Sequence, residues 1–282
     1  MNKIVLDDLK IVDFSVDDSI TYDLVDNDSL GIKVLNIDVI KSCDLNLEYN
    51  FTDSKLEVCI NVGSDISFNV NEIISGDNCK VRTKYSIDSN SSVNVSKFNN
   101  INSIKEYFIC NLNGINASIN YNLKTISINP ENYDFLIYHN FKNTNSCINT
   151  NGVSIKDGSI LFNVSSFIPK DITGCVASQD NRIINLNDNY SIIKPNLYID
   201  CDDVVASHSA WVGSFSEDDL FYLQSRGINR DDATKLLLTG FLTSNMSSDL
   251  CDYVKDTIDN YWRWFFESWR FYDVKSRYYL FW

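Results

Sequence analysis

The sequence predicts a mainly β chain closed by a short helical segment, and two changes of pattern carry that expectation. From the start to about residue 213, apolar residues alternate with polar ones over runs of four to seven, broken by Asn, Asp, Ser and Gly. Such alternation marks strands with one face in a core. Leu30, Ile32 and Val34 make one run, and Leu56, Val58, Ile60 and Val62 another. Ile119, Tyr121 and Leu123 follow, then Phe135 and Ile137, then Ile160, Phe162 and Val164. No candidate helix longer than two turns interrupts them. From Ser216 onward the period becomes that of amphipathic helices. We therefore expect a β domain over 1–213 and a helical domain over 214–282.

Many short, even strands fit a sandwich, a barrel or a β-solenoid. Asn recurs at the strand ends, where its amide can satisfy backbone groups at sharp corners and tolerate a left-handed φ. With only 10 Gly and 3 Pro, tight hairpin turns are scarce, and Asn113-Gly114 and Asn151-Gly152 are the two candidates. These features favour a parallel β-helix over a sandwich, although no fixed-length repeat is visible.

The helical text has its own punctuation. Ser216 with Asp219 reads as a capping box ahead of Leu220, Phe221 and Leu223, and Gly227 sits where a helix-terminating glycine belongs. Asn229 with Asp232 opens a second helix, with Ala233, Leu236, Leu237 and Phe241 on one stripe. A third starts near Ser247 or Ser248 and carries Leu250, Val254, Ile258, Phe265 and Trp269. The tail from Tyr261 to Trp282 is aromatic nearly all round. It must be covered on every side, by its own solenoid or by a protein partner anchored on Trp, Tyr and Arg.

Composition excludes several classes. Lys and Arg number 24 against 38 Asp and Glu, a net charge of −14. That sign repels phosphate backbones and anionic lipid surfaces, so neither nucleic acid nor membrane is an expected partner. The opening MNKIVLDDLKIVDF lacks a basic segment followed by an apolar one, and no apolar run reaches membrane-spanning length. We expect a cytoplasmic protein. Its eight cysteines are scattered, with no CxxC and no Cys/His cluster. Reduced, mostly buried thiols are the simplest reading.

The stretch from Lys194 to Phe241, KPNLYIDCDDVVASHSAWVGSFSEDDLFYLQSRGINRDDATKLLLTGF, resembles the C-terminal signature of the SufB/SufD family. These are scaffold proteins of the SUF iron–sulfur cluster assembly system. Lys194, Pro195, the Asp202-Asp203-Val204 step, Ser207-His208 and Ser225-Arg226-Gly227-Ile228 carry the resemblance, with Leu236, Leu237, Gly240 and Phe241. Weaker likeness, including His139, Ser146 and the Gln179-Asn181-Arg182 step, extends it over about 135–245. The resemblance implies a right-handed parallel β-helix followed by a helical domain, with no enzymatic activity of its own. It implies pairing with a SufB-like subunit, or with a second copy, through the β-helix. It also implies docking of a SufC-like ABC ATPase through the helices, at Leu220, Phe221, Leu223, Arg226, Gly227, Leu237 and Phe241. The family's N-terminal helical segment is not expected here, because strand text begins almost at Met1. The text around the histidine is closer to SufD than to SufB.

His208 is the candidate the resemblance singles out, as a ligand where a nascent cluster forms between subunits. No tightly bound cofactor is implied, only a transient iron–sulfur cluster or iron at that boundary. In an extended strand Val204, Ala206 and His208 share one face. The family's cysteine two residues before the histidine is Ala206 here; Cys201 is the second candidate cluster ligand, but, offset by five, it is expected on the opposite face. Read alone, a single histidine without ligand-spaced companions is structural, satisfied by a carbonyl or an interface. Two other functions stay open: a structural partner of the ATPase without cluster chemistry, and a carbohydrate-active β-helix enzyme. The last would need paired carboxylates on a groove, and none is evident from Leu30 to Val164.

Overall fold

The computed structural model describes the backbone of residues 2–27 and 31–276, and the side chains of residues 2–27 and 31–262. The chain divides into two compact units, Met1–Ser214 and Phe215–Trp282.

The first unit is a β-solenoid of about seven turns. Its strands are β1 (Asn2–Asp7), β2 (Lys10–Ser15), β3 (Ile20–Asn27), β4 (Ile32–Val39), β5 (Cys43–Val62), β6 (Ser67–Ile87) and β7 (Ser92–Leu112). They continue as β8 (Ser118–Ser127), β9 (Pro130–His139), β10 (Asn145–Ser154), β11 (Ser159–Ile168), β12 (Cys175–Asn185), β13 (Ile192–Ile199) and β14 (Val204–Gly213). One ladder runs β1-β5-β6-β7-β8-β10-β12-β14, parallel throughout. The other joins β4, β5, β6, β7, β9, β11 and β13, also parallel. The 20- and 21-residue strands β5, β6 and β7 bend midway and serve both ladders. The bend in β6 falls at Gly76, whose φ of +113° and close approach to the Phe51 carbonyl leave no room for a Cβ. Antiparallel pairing occurs only in the first turns among the described residues, at β1–β2 and β3–β4.

Alternation decides what fills the lumen. Leu56, Val58, Ile60 and Val62 are all buried, as are Ile119, Tyr121, Leu123, Phe135, Ile137, Ile160, Phe162 and Val164. Phe108, Tyr121 and Phe135 meet across the two ladders with ring centroids 4.3–5.5 Å apart. Each such ring contributes about 1.5–3 kcal/mol by burial.

The corners follow the expected asparagine chemistry. Asp65, Asn90, Asn116, Asn143 and Gly174 all have φ between +58° and +72°, one per turn, at intervals of 25, 26, 27 and 31 residues. Asn116 Nδ2 donates to Asn90 Oδ1 at 2.8 Å, and Asn90 Nδ2 to Asp65 Oδ1 at 3.0 Å. Neither Asn-Gly step forms a hairpin. Asn113-Gly114 lies between the parallel strands β7 and β8, and Asn151-Gly152 lies inside β10. A Cβ at Gly152 would stand 2.5 Å from Ile160 Cδ1, so packing within the lumen explains that glycine.

The second unit holds α1 (Glu217–Ser225), α2 (Arg230–Thr243) and α3 (Ser248–Ser276). Ser216 caps α1 by accepting from the Asp218 N–H, one residue earlier than a capping box would place the bond. Asn229 caps α2 from Asp232 N at 2.9 Å, and Gly227 ends α1 with φ +88°. Leu250, Val254 and Ile258 are buried on α3. On α2 the buried stripe is Ala233, Leu238 and Leu242, whereas Leu236 is exposed and Leu237 and Phe241 are half-buried. The run Leu236-Leu237-Leu238 offers two equally apolar faces, and packing against α3 selects the second. The expected burial of the tail from residue 263 lies outside the described side chains.

Candidate functional site

The last turn of the solenoid gathers the sequence-predicted candidates. His208 sits in β14 opposite Gln179 of β12, which in turn stands opposite Ile148 of β10. Cys175, Ala177, Gln179, Asn181 and Ile183 alternate into the interior. His208 occupies the corresponding parity of β14, but β14 is followed in its ladder by no further strand among the described residues, and the imidazole is exposed. Beneath it, Gln179 Nε2 donates to Ser166 Oγ at 2.9 Å and to the Asn196 carbonyl at 3.2 Å. Gln179 Oε1 is buried with no hydrogen-bond partner, an arrangement that costs about 1–3 kcal/mol unless a donor approaches.

Cys201 does not lie on the opposite side from Ala206. It packs with Val204 and Ala206 against Ile168, Cys175 and Ala177. The reason is local: residues 201–203 form a bend before β14, so strand parity does not run back through them. Asp202 and Asp203 lie in that bend, exposed, and the Asp203 carbonyl accepts from Gly174 N at 2.8 Å. No group of three His, Cys, Asp or Glu placed to hold a metal exists among the described residues. Iron–sulfur clusters take four protein ligands, and no such set surrounds His208 among the described residues.

The other histidine is structural. His139 is fully buried on β9, its Nδ1 2.8 Å from Thr144 Oγ1 and its Nε2 2.9 Å from Ser146 Oγ. Burial pushes its pKa down to about 4, so the ring is neutral.

The lumen also holds a polar cluster that the alternation pattern alone did not reveal. Lys97 Nζ donates to Glu106 Oε1 at 2.7 Å and to Glu72 Oε1 at 2.8 Å, all fully buried. Burial alone would lower the Lys97 pKa, but the Glu106 and Glu72 carboxylates outweigh it and raise it. Desolvation raises Glu72. Nearby, Thr125 and Tyr133 hydroxyls donate to Glu131 Oε2, and burial lifts Glu131 to about 8. These are not the groove carboxylates that a carbohydrate-active site would need. These carboxylates are sealed inside the solenoid at 0–1% exposure, where no glycan reaches them.

The SufBD core domain of the SUF system for FeS cluster assembly matches residues 34–241. The chain belongs to the SufBD family. Among its relatives is the iron–sulfur cluster assembly protein SufD of Bacillus subtilis, 35% identical over 113 residues, 40% of this chain and 26% of that one. SufD of Escherichia coli is 48% identical over 48 residues, covering 17% and 11% of the two chains. The chloroplastic protein ABCI7 of Arabidopsis thaliana is 49% identical over 49 residues, 17% and 10%. The matched segments thus span about a quarter or less of these SufBD relatives.

Of the residues that the resemblance to SufBD proteins assigns to ATPase docking, Leu220 is buried within the helical unit, and Leu223, Leu237 and Phe241 are half-buried. Phe221 is 71% exposed, and Arg226 is exposed with its guanidinium 5.2 Å from the Tyr222 ring centroid. Gly227 sets the turn. Tyr222 and Leu236, 57% and 53% exposed, also face solvent and had not been singled out. Once Leu238 is known to be the buried residue of α2, the exposed face of the helix follows from its period.

Proposed function

We propose that this chain is a SufD-like, non-catalytic scaffold subunit of a SUF-type complex in the cytoplasm. It pairs with a SufB-like subunit through the last turn of its β-helix and docks a SufC-like ABC ATPase through α1 and α2. The observation that carries the reading is the single imidazole of His208 in an exposed terminal strand, above a buried carbonyl oxygen on Gln179 that lacks a donor. A cluster ligand set shared between two chains needs such an incomplete half. The cluster is then cargo assembled at the boundary, not a resident cofactor. The exposed Phe221, Tyr222 and Leu236 support a protein partner on the helical unit.

A second reading, an ATPase partner without cluster chemistry, is favoured by Ala206 standing where the family has a cysteine. Co-expression with the same organism's SufB-like and SufC-like proteins, followed by isolation of the complex, tests the assembly. Stable co-purification is expected, and failure to retain the ATPase overturns it. Anaerobic reconstitution of that complex with iron and sulfide separates the two readings. The His208→Ala complex is expected to hold fewer clusters by absorbance and iron content. Equal occupancy selects the second reading.

A further inference from the structure

Three lysines form a rung-to-rung stripe on the outer face of a strongly acidic protein. Lys55 of β5 is in register with Lys80 of β6, and Lys80 with Lys105 of β7. Parallel neighbours lie about 4.8 Å apart, so three cations line up over about 10 Å. All three are exposed. Like charges on adjacent rungs destabilise a sheet, and this solenoid avoids them elsewhere by setting Asn over Asp, as in Asn69–Asp44, Asn61–Asp38 and Asn102–Asp77.

The other basic groups nearby are neutralised. Arg82 and Lys84 pair with Glu57, and Lys33 with Asp26. No carboxylate forms an ion pair with Lys55, Lys80 or Lys105 among the described residues. The stripe also lines a concavity of about 860 Å³, a size suited to small-molecule ligands. Asn78, Ser103 and Asn132 supply neutral hydrogen-bonding groups along it, and Ile32, Ile104 and Pro130 apolar wall. Asp53 and the Lys33-bound Asp26 are its carboxylates, against four lysines.

We propose that this groove binds a linear oligophosphate, either free or as the triphosphate arm of a nucleotide. A compact monoanion reaches one or two of the ammonium groups, whereas a short chain of phosphates neutralises all three. Lysine suits this role as a mobile point charge with three donors. The stripe is bounded: beyond Lys105 the next rung is Asn132. A long polyanion such as nucleic acid would run off it onto a surface of net charge −14. The proposal is independent of the scaffold reading above.

Calorimetric titration of the full chain with inorganic tripolyphosphate, ATP and orthophosphate tests it. Tripolyphosphate is expected to bind at least about tenfold more tightly than orthophosphate, and more weakly as salt rises. The ATP arm shows whether a nucleoside adds affinity. Lys80→Gln should weaken tripolyphosphate binding about tenfold, with Lys105→Gln as a second ladder variant. Lys41→Gln, remote in an ion pair with Asp18, should leave binding unchanged. Without ligand, Lys80→Gln should melt no lower than wild type, because the middle charge is repelled from both sides; an intact fold keeps the binding result interpretable. Equal affinity for orthophosphate and tripolyphosphate overturns the proposal, as does unchanged binding in both ladder variants or equal weakening by Lys41→Gln.

Discussion

At His139 a buried imidazole is held between two hydroxyls, Thr144 and Ser146, with no carboxylate among its hydrogen-bond partners. An unfolded chain protonates such a ring near pH 6.5, but the folded one does so only near 4. Between those values the unfolded state binds more protons, so stability rises with pH across the window and is lost as pH falls through it. The separation corresponds to about 3 kcal/mol. Urea unfolding of His139→Gln, which keeps a donor and an acceptor, should show a shallower pH dependence between 4 and 6.5 than wild type. Identical slopes would refute the assignment. Parity already marks His139 as inward, two residues beyond Ile137. The same count puts Glu72 in line with Phe68 and Val70, and Glu106 in line with Ile104 and Phe108. That these charges meet Lys97 was not legible, because partners on different turns are set by register, which a single strand does not encode. For His208 the inward parity was readable too, and its exposure was not, since that depends on which strand ends the ladder.

The corner element carries more of the fold than any single strand. Asn116 holds φ +59° and donates to Asn90 on the turn below. For a residue with a Cβ and no local hydrogen bond, the left-handed region costs about 1–2 kcal/mol. Asn116→Ala should therefore lose about that much in urea unfolding free energy. Asn116→Gly should fall between alanine and wild type, since it regains the backbone freedom but not the bond to Asn90. Alanine proving no worse than glycine would show that the corner does not depend on handedness. The sequence displayed these asparagines and the need for them at corners, but hid the repeat, because the interval between equivalent corners grows from 25 to 31 residues along the chain. Asn151-Gly152 misled for a related reason. A hairpin dipeptide and a glycine cleared for Ile160 look alike until the strand opposite is known.

On the scale of the solenoid, each turn contacts only its neighbours, so stability is close to a sum of turn-to-turn interfaces. The interfaces are unequal. Strand β6 is in register with β7 over 20 residue pairs and with β5 over 19, and β7 carries β8 and β9 on its other side. By contrast, among the described residues β14 pairs only with β12 and β13 only with β11, and Ile192, Tyr198, Val205, Trp211 and Val212 are exposed on that last turn. Local opening should follow this gradient. In hydrogen exchange of the isolated chain, amides in 192–213 should exchange well before those in 67–112. Adding a SufB-like partner should slow 204–213 selectively if the last turn is the scaffold interface, since a partner strand or surface would occupy the open edge of β14. Uniform protection along the free chain would contradict the turn-by-turn account of stability. A partner that instead protected only 217–243 would leave the solenoid account standing and move the contact to the helical unit, away from His208.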